Sequence, residues 1–356
     1  MELSSAPFYN VGCTHGRCML YGFALVSTFF VSLSVSLLIS QHITSRLLDT
    51  PVARSAHRVP TPRGGGLAIV LSILLFIAFL VFDGTLSPGM FAVLLCAVPV
   101  AITGFIDDLR GLPVSIRLPI HLASAFVALW LLGPVPEPFF SGWLLIPVFF
   151  QSVILVLALV WLLNLYNFMD GIDSLAASQS LFVSGAASVM LFNQQTDLAW
   201  VCVGLFISTL GFLCLNWPPA RLFMGDVGST FIGFFIGLIA LISHYQGTLS
   251  VWVWVLLMGG FIADTTFTLI RRAISGHRIT EAHNLHAYQY LARRTGSHAK
   301  VVLMYTLVNT VWLLPMSWLA VVYPQNGVYL TIMGVVPLMA IAALLGAGRP
   351  DAPILG

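Results

Sequence analysis

The chain has 356 residues, 58% of them hydrophobic and only 8% charged, with a formal net charge of +2. A mean hydropathy of +0.96 lies far above that of a soluble globular domain. That excludes a cytosolic domain and implies a chain built largely from membrane helices. The charge balance is too even to mark a partner, no basic patch points to nucleic acid, and the five cysteines lack the spacing of a metal site.

Eleven apolar runs follow one another at 19–40, 65–82, 90–106, 118–133, 144–163, 174–192, 198–215, 229–244, 250–270, 301–323 and 327–346. A bilayer needs about 20 apolar residues per helix. The spacing therefore predicts an all-α polytopic membrane protein of about eleven transmembrane helices, with residues 1–356 as a single integral membrane domain. The first run lacks the basic start of a signal peptide and is read as a helix. With eleven spans, alternate gaps fall on opposite sides of the membrane. Of the 15 lysines and arginines, all but Arg17 then share one side. Positive charge is retained in the cytoplasm, so the N-terminus is expected outside and the C-terminus inside.

The same face carries most of the acids, in short motifs at helix ends. The first gap reads Asp49-Thr50-Pro51-Val52-Ala53-Arg54-Ser55-Ala56-His57, then Arg63-Gly64-Gly65-Gly66. Backbone amides in a glycine run beside arginines suit an anion such as phosphate, although a basic anchor with a glycine turn reads the same way. Next come Asp107 and Asp108, with Arg117 at the start of the following run. Adjacent carboxylates repel, and a divalent cation or a shared proton resolves the conflict, as does a solvated, helix-capping turn. Asn167, Asp170 and Asp173 are spaced three apart, which on a helix sets them along one stripe, with Gly171 permitting a break. Asn216 precedes Gly225-Asp226-Val227-Gly228-Ser229, which is either a capped turn or a further metal carboxylate. Asp264, in the ninth run and seven residues before Arg271, either pairs with an arginine or joins the chemistry. The last gap holds His283-Asn284-Leu285-His286-Ala287-Tyr288-Gln289. Its spaced histidines lack the thiols and the His-Glu-x-x-His pattern of a zinc site, so hydrogen bonding to phosphate or nucleotide is the better functional reading.

Taken together, from Asp49 to Gln289, these motifs resemble the polyprenyl-phosphate N-acetylhexosamine-1-phosphate transferases, glycosyl transferase family 4. That family includes the undecaprenyl-phosphate N-acetylglucosamine and phospho-N-acetylmuramoyl-pentapeptide enzymes. The histidine motif is similar to that of the branch that initiates O-antigen of lipopolysaccharide. The resemblance implies an enzyme of the bacterial inner membrane with its active-site cleft at the cytoplasmic face. Such an enzyme moves a sugar-1-phosphate from a UDP-N-acetyl sugar to undecaprenyl phosphate, with Mg2+ (or Mn2+) as cofactor and a homodimer as one assembly. It implies Asp226 as metal ligand, and Asp107, Asp108, Asp170, Asp173, His283 and His286 as catalytic residues. Arg54, His57, Arg63, Arg117, Asn167 and Asn216 would bind substrate. Two departures stand out. The histidines are spaced, where the muramoyl-pentapeptide enzymes have a consecutive run, and Ser174 replaces a glycine in the Asp-Gly-x-Asp-Gly motif. N-acetylglucosamine and a 6-deoxy N-acetyl sugar are the main donor candidates, with loop 271–300 expected to choose between them. A secondary transporter would instead place its acids near the bilayer midplane within inverted repeats, and a scaffold would need no such set of acids. The Asp-x-x-Asp-Gly-x-x-Ala-Arg motif of CDP-alcohol enzymes is absent.

Overall fold

A computed structural model describes residues 15–42, 47–49, 60–136, 147–194, 196–277 and 283–349. The chain is an all-α, polytopic membrane protein. Helices α1 (His15–His42), α2 (Gly66–Phe82), α3 (Pro88–Leu95), α4 (Ala97–Arg110), α5 (Val114–Leu132), α6 (Val148–Phe168), α7 (Leu175–Asn193) and α8 (Leu198–Asn216) form the first part. They are followed by α9 (Asp226–Tyr245), α10 (Val251–Leu257), α11 (Gly259–Ile274), α12 (Ala287–Thr295), α13 (His298–Val308), α14 (Leu314–Val322) and α15 (Gly327–Leu344). Strands β1 (Leu48–Asp49) and β2 (Thr61–Pro62) form a two-residue antiparallel pair. An apolar run in lipid must satisfy its own backbone, and a helix does so within the segment.

Each of the eleven apolar runs has a helical counterpart. Nine are long and apolar enough to cross a membrane, and a tenth is the bent pair α10–α11; α2 is shorter. The boundaries correct the sequence reading in four places. Helix α6 runs on to Phe168, so Asn164 and Asn167 are helical and not in a gap. Helix α4 continues through Asp107 and Asp108 to Arg110, and α9 begins at Asp226. The ninth run is no single rod: it breaks at Met258 with a bend of 78°.

Helix α9 is the axis of the bundle. Its apolar window is 94% buried, against 17% for α1, and it packs chiefly on α4 and α6. One continuous apolar core runs through the bundle from Tyr21 to Ala320. Because α9, α4 and α6 converge, Asp226, Asp107 and Asn167 reach one place.

The break at Met258 is held by a buried polar relay. Gln179 of α7 donates to the Leu257 carbonyl at 2.9 Å, and Asn309 donates to the Gln179 side-chain oxygen at 2.6 Å. Asn309 opens a π-helical turn, Asn309–Leu313, between α13 and α14. A broken helix frees backbone groups that lipid cannot satisfy, and side chains of neighbouring helices take them. Gln179→Ala should lower the apparent melting temperature in detergent, by about 1 kcal/mol of stability. Asn309→Ala added to it should cost less than Asn309→Ala alone; full additivity in a double-mutant melting series would refute the relay.

Candidate active site

The candidate site is a pocket of about 310 Å³ where α4, α6, α9 and the segment before α12 meet. Its polar wall includes Arg63, Asp108, Asn167, Asp170, Asp173, Asn216, Asp226, Ser229 and His283. Every motif read from the sequence within the described residues sends at least one side chain here. Arg54 and His57 lie outside the described residues.

One side is built around Asp226. Arg117, at the start of α5, pairs with Asp107 and reaches Asp226 Oδ2 at 3.2 Å. Asp107 also accepts the Leu112 amide across the end of α4. Asp108 points the other way and is 2% exposed. Its two oxygens accept the main-chain N–H groups of Asp226 and Val227, each at 3.0 Å. A carboxylate on the first amides of α9 satisfies donors that a helix start leaves open, and it meets the positive end of the helix dipole. Arg63 donates to the Asp108 main-chain carbonyl at 2.7 Å. Gly225 has φ of +74°, and a Cβ there would lie 2.6 Å from Asp108 Oδ2, so only glycine suits the position.

The glycine run does not offer bare amides to an anion, as the sequence suggested. Gly65 and Gly66 donate to the carbonyls of Phe223 and Met224 at 2.9 and 2.8 Å, and Phe223 donates back to Pro62. The run braces the segment that carries Asp226.

The expected helical stripe of Asn167, Asp170 and Asp173 is also different. Asn167 sits in the last turn of α6 and donates to Ser229 Oγ at 3.2 Å. Asp170 and Asp173 lie on the turn that follows, which bends the chain into α7. Burial, and after it the negative charges of Asp226, Asp108 and Asp173, hold the Asp170 carboxyl well above the usual carboxylate range. Asp173 Oδ2 accepts the Ala220 amide at 3.1 Å and lies 3.2 Å from His298 Nδ1. Asn216 is a buried brace that accepts from Ser174 N and donates to Leu222 O.

The two histidines separate. His283 lines the pocket. Burial, with His286 and Arg272 nearby, pushes its pKa down to about 3, so at neutral pH it is an uncharged hydrogen-bonding imidazole. His286 is 2% exposed, is not among the lining residues, and stacks between Phe168 and His283. Its Nδ1 lies 3.5 Å from Asp264. Asp264 accepts the amides of Ala287 and Tyr288 at 2.8 and 3.0 Å and the Tyr305 hydroxyl at 2.7 Å. Tyr288 then donates to the Phe168 carbonyl at 3.0 Å, and a Cβ on Gly171 would collide with its hydroxyl.

Sequence reasoning passed over Phe223, Gln289 and His298, all of which line the pocket. Phe223 and Gln289 lie inside motifs already singled out. His298 stands alone after Gly296-Ser297, and its only signal is a polar position at the inner end of an apolar run.

Comparison with known proteins bears on the same residues. The family model for glycosyl transferase family 4 matches residues 90–244. A phospho-N-acetylmuramoyl-pentapeptide-transferase of Geobacillus sp. (strain WCH70) is 30% identical over 251 residues, covering 65% of this chain and 75% of the relative. The chain belongs to glycosyl transferase family 4. A probable undecaprenyl-phosphate N-acetylglucosaminyl 1-phosphate transferase of Bacillus subtilis (strain 168) is 29% identical over 311 residues, 81% of this chain and 83% of the relative. A phospho-N-acetylmuramoyl-pentapeptide-transferase of Rickettsia canadensis (strain McKiel) is 26% identical over 304 residues, 75% of this chain and 81% of the relative. The family 4 match encloses Asp107, Asp108, Arg117, Asn167, Asp170, Asp173, Asn216 and Asp226. Arg63, the histidine loop and His298 lie outside it.

The serine that ends the aspartate turn carries a cost. Ser174 has φ of +57°, is 1% exposed, and its hydroxyl has no hydrogen-bond partner. The left-handed region disfavours residues with a Cβ by roughly 1–2 kcal/mol, and an unpaired buried hydroxyl adds to that. Ser174→Gly should therefore raise stability by about 1 kcal/mol after the entropy glycine restores to the unfolded chain. A melting temperature equal to or below that of the parent protein would refute the strain.

Proposed function

We propose that the chain transfers an N-acetylhexosamine-1-phosphate from a UDP-sugar to undecaprenyl phosphate, leaving an undecaprenyl-diphospho-sugar and releasing UMP. The observation that carries this reading is the acid-rich pocket at the ends of apolar helices, with Arg117 joining Asp107 to Asp226. An acceptor phosphate anchored in lipid reaches a site at that depth, and a nucleotide-sugar reaches it from water. The names of the Bacillus and Geobacillus relatives support the same class.

The donor set fits a hard divalent cation. Burial, and after it the negative charges of Asp226, Asp108 and Asp173, raise the Asp170 pKa, and the two arginines that touch the acids bind at Asp107, Asp108 and Asp226. Among the described residues no three acidic, histidine or cysteine side chains close on one point. That suits magnesium, which is commonly held by one or two carboxylates together with water and substrate phosphates. Asp226 would hold it, with Asp170 beside it. A magnesium ion held there would supply positive charge against the diphosphate.

The acceptor phosphate oxygen attacks the sugar-linked phosphorus, forming one P–O bond as the P–O bond to UMP breaks and UMP leaves with the bridging oxygen. A phosphate monoester is already largely ionised near neutral pH, so no obligatory general base is required. Arg117 holds the acceptor phosphate and Asp107, paired with it, sets the guanidinium, while both oxygens of Asp108 are taken by α9 amides. Asp108 positions Asp226. His283 meets the diphosphate as a neutral donor, while His286 supports it from beneath. Arg63 lies on the same wall. We place this chemistry on the cytoplasmic face of the bacterial inner membrane, at the first membrane step of O-antigen or a related surface glycan.

The test uses purified protein in detergent with magnesium, undecaprenyl phosphate and a panel of UDP-N-acetyl sugars. UMP release should require both lipid phosphate and metal, select one sugar, and fall at least about a hundredfold in Asp226→Ala. Folded protein that releases no UMP with any donor would reject the transferase.

A further inference from the structure

The carboxylates of the pocket form a row with a basic residue at each end. Arg117 stands against Asp107 and Asp226; Asp170 follows; Asp173 closes the row against His298. The Asp173 main-chain N–H donates to His298 Nδ1 at 3.4 Å, and that imidazole nitrogen lies 3.2 Å from Asp173 Oδ2. That same Oδ2 accepts the Ala220 amide at 3.1 Å. His298 is the first residue of α13, whose start is set by the Ser297 hydroxyl accepting the Lys300 amide. Three segments distant in sequence thus meet at one carboxylate: the turn after α6, the loop after α8 and the start of α13.

The two ends of the row differ in chemistry. Arg63 and Arg117 both touch acids at the Asp226 end, which suits phosphates. His298 itself stands at the Asp173 end, and Phe223, Asn284 and Gln289 give the same pocket an aromatic face and carboxamides. Uncharged hydrogen-bonding groups with an aromatic face suit a nucleobase and its ribose.

Resting on the transferase reading above, we propose that His298 is a positioning residue for the nucleotide half of the donor. The imidazole Nδ1 accepts the Asp173 main-chain N–H and packs against its carboxylate, which holds that residue against Ala220. The fixed carboxylate sets the separation of the Asp170–Ser174 turn from the loop that carries Phe223, and so the width of the slot the nucleotide enters. Nothing in this arrangement touches the acceptor end, so its loss is felt by one substrate only.

The test compares His298→Ala, His298→Asn and His298→Gln in the full-length protein. Asparagine sets an amide oxygen, an acceptor, where Nδ1 lies; glutamine sets it near the Nε2 position. Loss of such a hydrogen bond corresponds to about a tenfold effect. His298→Ala should raise KM for the UDP-sugar about tenfold, with KM for undecaprenyl phosphate and kcat within about twofold of the parent protein. Isothermal titration with UMP should show the same weakening without turnover. His298→Asn should restore most of the loss, and His298→Gln should not. A donor KM and UMP affinity unchanged in His298→Ala, an equal rise in the lipid KM, or no difference between asparagine and glutamine would overturn the proposal. If the alanine variant fails to fold, the asparagine–glutamine contrast decides alone. A parent protein that releases no UMP would defeat the transferase reading itself; one that turns over indifferently to position 298 defeats only this inference.

Discussion

One buried carboxylate organises the catalytic end of the bundle. Asp108, at the end of α4, holds the first two amides of α9 while Arg63 grips its backbone. A charge this deep persists only when it is paired, and removing a partner from such a pair costs roughly 3–5 kcal/mol. The contact joins the end of one membrane helix to the start of the most buried one. It also decides where Asp226 points. With its main chain held by Asp108, the side chain of Asp226 turns towards Arg117 and the open pocket. The glycine run reinforces the arrangement from the other side by pairing with Phe223 and Met224.

The same device appears a second time. Asp264 holds the opening amides of α12 as Asp108 holds those of α9. The ninth membrane segment therefore presents the histidine loop, and the loop's two imidazoles divide: one lines the pocket, the other is packed beneath it. An ionisable group inside an apolar helix is commonly read as chemistry. Here two of the most buried acids are spent on helix starts, where the local dipole and a pair of N–H donors stabilise the charge.

Much of the architecture was legible because lipid imposes a length and a composition on every span, and both are visible in an apolar run. The motifs were legible because charge is scarce, so each cluster stood out. What escaped has a physical reason in each case. The break at Met258 has one local mark, Gly259-Gly260, but an apolar run of membrane length reads as one helix, and Gln179 and Asn309, which hold the break, come from other helices. The spacing of Asn167, Asp170 and Asp173 fits a helix equally well as a turn, and the turn prevails because Ser174 adopts a left-handed conformation and Asn216 braces it. Asp107 and Asp108 look equivalent as neighbours in sequence; a helix points them about 100° apart, which separates the acid paired with Arg117 from the buried one on the α9 amides. His298 acquires its meaning only from Asp173, which is far away in the chain.

Tyr288 closes the pocket floor by donating to Phe168 while its hydroxyl fills the space that any side chain at Gly171 would need. The aspartate turn and the histidine loop are therefore complementary shapes, cut to each other like two halves of one mould. A chimera that borrows only one of them from another member of the family inherits a mismatch at that contact unless the other half travels with it. The two motifs form one unit of exchange, and attempts to transplant donor preference through the histidine loop should carry the turn along.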